Sequence, residues 1–77
     1  MSFPHIVRNA AILGGKPIIA GTRISVDFIL ELMAAGRAVS DILEGYPSLT
    51  EDLIREALAF AATEIRQEDM ELSVVGA

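Results

Sequence analysis

The chain has 77 residues, 52% of them hydrophobic, a formal net charge of −5, one histidine and no cysteine. That length supports one small domain. The absence of cysteine excludes disulfides, a Cys–His pair and the usual zinc clusters. No run of about 18 uninterrupted apolar residues occurs, so no membrane span is expected.

The elements follow in chain order. Ile6-Val7 reads as a short strand, and turn signals at Gly14-Gly15 and Gly21-Thr22 flank a β-branched run at Ile18-Ile19, with Ile24 beyond. This predicts a small hairpin over residues 17–25. Ser25 is placed to cap a helix over 25–36, with Asp27 in its first turn and Phe28, Ile29, Leu32 and Met33 at helical spacing. Gly36 is its stop. Ser40 is the expected cap of a second, shorter helix over 40–45 carrying Ile42 and Leu43, and Tyr46-Pro47 breaks the pattern. Thr50 caps a third helix over 50–66, with Glu51 and Asp52 at its positive end and Ile54, Ala57, Leu58, Ala61 and Ile65 along one face. Beyond Gln67 an acidic and then apolar tail, frayed or docked on a partner, is expected. The expected core is Phe28, Ile29, Leu32, Ile42, Leu43, Ile54, Leu58 and Ala61. The whole chain, 1–77, is then one domain: a β element over 1–25, a tri-helical bundle over 26–66 and the tail over 67–77. Its class is mainly α, a three-helix, helix-turn-helix-like bundle with a small N-terminal β-hairpin.

The run Gly14-Gly15-Lys16-Pro17, followed by Gly21-Thr22-Arg23-Ile24, resembles the GGKP…GTR signature of the bacterial domain of unknown function 433 family. The likeness continues through Leu30, Leu32, Ala35-Gly36, Ile42-Leu43, Tyr46-Pro47, Leu49-Thr50 and Ala57-Leu58-Ala59, covering roughly residues 5–62. The resemblance implies a homeodomain-like fold. It also implies an antitoxin-like role, in which one part binds operator DNA and another masks a PIN-like ribonuclease encoded alongside. The acidic, partly apolar stretch from Glu64 to Val75 is the physical counterpart of such a masking segment. Two positions depart from the family pattern: Asn9-Ala10 replaces an Asp-Pro-like turn, and Leu53 replaces a commonly acidic residue.

Charge is unevenly distributed. Arg8, Lys16, Arg23 and Arg37 against Asp27 and Glu31 leave residues 1–37 at +2, whereas Arg55 and Arg66 against nine acids leave residues 38–77 at −7. Affinity for phosphate therefore belongs to the N-terminal half. If duplex DNA is bound, Lys16, Arg23 and Arg55 are the expected contacts. Yet the third helix offers Glu51, Asp52 and Glu56 beside Arg55, an acidic face for a recognition helix. Two readings stay open: a DNA-binding antitoxin, or a homodimeric protein-interaction module without DNA binding.

Neither catalysis nor a cofactor is expected. His5 reads as a mobile surface side chain, and Gly14-Gly15-Lys16-Pro17 lacks the spacing of a phosphate loop. The mean hydropathy of +0.47 exceeds what one small core readily hides. A homodimer is expected for that reason, through Ile18, Ile19 and Ile24 of the hairpin with Phe60 and Ile65 of the third helix. Met1-Ser2-Phe3-Pro4-His5 lacks the basic and long apolar regions of a signal peptide, so the expected compartment is the cytoplasm.

Overall fold

Two pairs of β-branched residues open the structure, a computed structural model that describes the backbone of residues 2–76 and the side-chain surroundings of residues 2–67. Strand β1, Ile6–Val7, runs antiparallel to β2, Ile18–Ile19, with Ile6 opposite Ile19 and Val7 opposite Ile18. The chain then reverses through Gly21, at φ +77°, and returns to form an isolated bridge between Ile18 and Ser25. Ile19 N–H donates to the Ile24 carbonyl at 2.9 Å, and Val26 N–H to that of Pro17 at 2.9 Å. Thr22 fastens the turn: its hydroxyl donates to the Ile19 carbonyl (2.8 Å) and accepts from Ile24 N–H (3.0 Å). The expected hairpin over 17–25 is thus present as a single bridge, while the two-stranded sheet joins β2 to β1.

Helix α1, Val26–Ala34, begins as expected, with Ser25 Oγ accepting from Phe28 N–H at 3.2 Å. It ends in a Schellman motif. Gly36, at φ +89°, donates to the Met33 carbonyl, and Arg37 N–H donates to that of Leu32. Helix α2, Val39–Gly45, corrects the second cap: its N-cap is Ala38, which makes no side-chain bond, and Ser40 lies exposed inside the first turn. Half-buried Val39 packs against the core, and that anchoring draws it into the helix ahead of the serine. Helix α3, Glu51–Gly76, starts at the predicted place, with Thr50 Oγ1 accepting from Leu53 N–H at 3.2 Å. Its backbone continues past 66, where a tail was expected. No proline or glycine stands between Glu51 and Val75 to stop it. How Glu68 to Val75 pack, and so the docking role expected of that stretch, lies outside the described residues.

The core is Ile19, Val26, Ile29, Ile42, Leu49, Ile54, Ala57 and Ala61, with Ile18 also buried. Ile29, Ile42, Ile54 and Ala61 were expected there. Phe28, Leu32, Leu43 and Leu58 are only half-buried. Ile18 and Ile19 are the main correction: at 2% and 1% exposed they lie inside the folded unit, so their side chains form no exposed surface for a second folded copy to pack on. The sheet lies against α3, and α3 also packs on α1 and α2. Three helices with a short link over residues 46–50 between α2 and α3 give the mainly α, helix-turn-helix-like order that the sequence predicts.

Candidate functional site

The cations expected to meet DNA are largely engaged by carboxylates. At the start of α3, the Arg55 guanidinium donates to Glu51 Oε1 at 2.6 Å and to Asp52 Oδ1 at 3.3 Å. Such exposed pairs contribute about 0–1 kcal/mol each and do not immobilise the arginine. Their sign matters more, because one cation between two acids leaves this turn negative. Asp41 and Glu44 of α2 are exposed as well. Lys16 Nζ lies 3.0 Å from Asp27 Oδ2. The Ser25 hydroxyl first, and then this ammonium, hold the Asp27 carboxyl below its usual range. Arg23, exposed in the hairpin turn, has no carboxylate partner among the described residues. The three cations therefore differ in pairing: Lys16 and Arg55 are each held by acids of their own, and Arg23 by none among the described residues.

A groove runs between α1 and α3. It encloses about 320 Å³, open to solvent, and its walls are Pro17, Val26, Leu30, Phe60, Ala61 and Ile65. Lys16, Asp27 and Glu64 supply its charged edges. The volume sits at the lower end for ligand pockets, and its lining is almost wholly apolar, without the set of placed polar groups that orients a small molecule. An apolar trough with charges at its margins suits a protein surface instead. Of the residues expected at an interface, Phe60 and Ile65 line this groove, Ile65 at 52% exposed, while Ile24 is half-buried against the core.

The N-terminal segment supplies a feature that the sequence reading missed. His5 is tied to Glu56, fifty-one residues away, by its backbone N–H to Oε2 at 2.7 Å and by Nδ1 to Oε1 at 2.8 Å. These bonds, the side-chain one foremost, lower the Glu56 carboxyl below its ordinary value. Phe3 meets Phe60 edge to face, with ring centroids 5.3 Å apart. Arg8 reaches Glu64 at 3.9 Å. Glu56, Phe60 and Glu64 lie four residues apart on one stripe of α3, so the N-terminal segment engages three successive turns. The spacing Glu56-Phe60-Glu64 was visible in the sequence, but nothing local linked it to residues 3–8. Among the described residues no cluster of three or more histidines or carboxylates could hold a metal ion. No helix there is long and apolar enough to cross a membrane.

Three helices behind a short antiparallel sheet, with an apolar groove beside the longest helix, define a small helix-turn-helix-like domain. The chain belongs to the DUF433 family, described as proteins of unknown function, whose profile matches residues 6–61. It is 44% identical over 56 residues to the uncharacterized protein y4eO of Sinorhizobium fredii. That match covers 73% of this chain and 25% of the relative, so the chain spans about a quarter of that protein's length. It is also similar to the crystal structure of a DUF433 member from Anabaena variabilis, with a TM-score of 0.76 and 26% identity. That likeness covers 90% of this chain and 68% of the other.

Proposed function

We propose that this chain acts by binding protein, as the antitoxin-type partner of a PIN-like ribonuclease, and carries out no catalysis of its own. The observation that carries this reading is the apolar groove between α1 and α3, edged by Asp27 and Glu64. A stable contact buries about 800 Å² per partner, roughly a seventh of the 5324 Å² that this chain exposes, so it must extend beyond the groove. The adjoining acids of α3 are the natural extension. A nuclease's RNA-binding surface is basic, and acids at its margin favour encounter and orientation.

Operator DNA is the second reading, and Arg23 is the observation that favours it. In that reading Lys16, Arg23 and Arg55 carry the attraction, and their combined replacement by Ala weakens binding and flattens its salt dependence by about one unit per contact.

The test starts from the reading frame next to this gene: a PIN-like nuclease is the expected product, and inhibition of that purified enzyme by this chain is then measured. The wild-type chain is expected to inhibit RNA cleavage, and a Phe60→Ala, Ile65→Asp double variant to lose most of that inhibition while keeping its far-UV circular dichroism. Equal inhibition by both proteins refutes the groove as the docking site. Salt-sensitive gel shifts of the gene's own promoter, abolished by the triple Ala variant, would favour the DNA reading.

A further inference from the structure

We propose that the N-terminal segment, residues 2–8, exchanges between two copies of this chain. The connector over residues 9–16 acts as the hinge of a domain-swapped dimer. This goes beyond the nuclease reading and does not depend on it.

The segment holds together as a unit, with Ile6 N–H donating to the Phe3 carbonyl at 3.1 Å. Its anchors all lie on the far side of the connector. Val7 pairs with Ile18 and Ile6 with Ile19, and Ala20 N–H donates to the His5 carbonyl at 2.8 Å. His5 clasps Glu56, Phe3 abuts Phe60, and Arg8 faces Glu64. Every one of these contacts is between two parts of the molecule that a second copy could supply in trans, with unchanged geometry. The α3 stripe thus takes an aromatic ring flanked by basic groups, and the partner that offers this is another copy of the same chain.

The connector is built differently. Its backbone hydrogen bonds are local: Ile12 N–H to Asn9, Ala11 N–H to the Asn9 side chain, Gly15 N–H to Ile12, and Lys16 N–H to Leu13. The Lys16–Asp27 ion pair is its one charged tie to the body among the described residues. Three consecutive residues, Leu13, Gly14 and Gly15, have φ of +50°, +66° and +85°. The two glycines adopt that region freely, but leucine does not, and Leu13 is 48% exposed, so no core packing repays the strain. A short strained hinge favours exchange, because opening it relieves strain while every anchor is remade in the partner. Drawn out, its eight residues reach about 26 Å, longer than the 22 Å shortest dimension of the molecule.

The test separates pairing in cis from pairing in trans. His5→Glu sets two carboxylates against each other within one chain, and Glu56→Arg sets a cation against His5. Each variant alone has a weakened clasp. In a swapped heterodimer one site restores His5 with Glu56, and the other pairs the introduced glutamate with the introduced arginine. The two full-length variants are refolded together from urea and weighed by native mass spectrometry. The expected result is heterodimer above its statistical share, with each variant alone less dimeric than the wild type. Monomers only, or a heterodimer at the statistical share, overturns the exchange. Leu13→Gly, which removes the strain at an exposed position, is expected to weaken the wild-type dimer about a hundredfold, roughly tenfold for each of its two hinges. An unchanged dimer in that variant removes the connector as the hinge.

Discussion

Replacing Ile19 by Ala tests where the apolar surplus of this chain resides. Ile19 is 1% exposed and belongs to the core cluster beside Val26, Ile29 and Ile54. The change deletes Cγ1, Cγ2 and Cδ1, about 2.4 kcal/mol of transfer free energy at ~0.8 kcal/mol per carbon. The cavity left behind adds to this, giving a loss of about 3–4 kcal/mol. A chain of this size has about 4–12 kcal/mol in total, so the variant is expected to lose a large share of its stability. The melting temperature should fall by about 12–32 °C. Ile65→Ala is the control: at half exposure it should cost under about 1 kcal/mol. Urea unfolding followed by far-UV circular dichroism, at one fixed protein concentration, measures both. An Ile19→Ala variant within about 1 kcal/mol of wild type refutes the burial argument. So does one whose only change is in sedimentation, which would mean that Ile19 faces a second copy.

Ser25→Ala removes the hydroxyl that caps α1 and is expected to cost about 1–2 kcal/mol in thermal unfolding. The same change should raise the Asp27 pKa in an NMR titration, since that hydroxyl is the largest cause of its depression. Acid should destabilise the fold with a definite sign. Asp27 and Glu56 are both depressed in the folded state, so their contribution is present above their ordinary values of 3.8 and 4.5 and is lost as pH falls through the folded values. Urea midpoints between about pH 3 and 7 should show this decline, and Glu56→Gln should flatten it. A Glu56→Gln profile matching the wild type would mean that the His5 clasp contributes nothing in solution.

Much of the fold is written locally. Ser25 and Thr50 cap the helices they were expected to cap because an N-cap needs only a hydroxyl and the next turn's N–H groups. Gly36 ends α1 because only a residue without Cβ adopts its φ at low cost. Helical periodicity likewise identified Ile29, Ile42, Ile54 and Ala61, and the two turn signals around Ile18-Ile19 located the hairpin. What tertiary structure alone decided is which apolar residues end inside. Ile18 and Ile19 have the same pattern in a buried strand as in an exposed edge. The sheet's placement against α3 made them core rather than interface. The start of α2 followed the packing of Val39 and not the hydroxyl of Ser40. The clasp between His5 and Glu56 spans most of the chain, and its geometry exists only once β1 has paired with β2 and the sheet has settled on α3. Short-range rules set caps, turns and stops, because those bonds close within a few residues. Burial and the partners of charged side chains depend on which distant segments meet, and that is decided by packing.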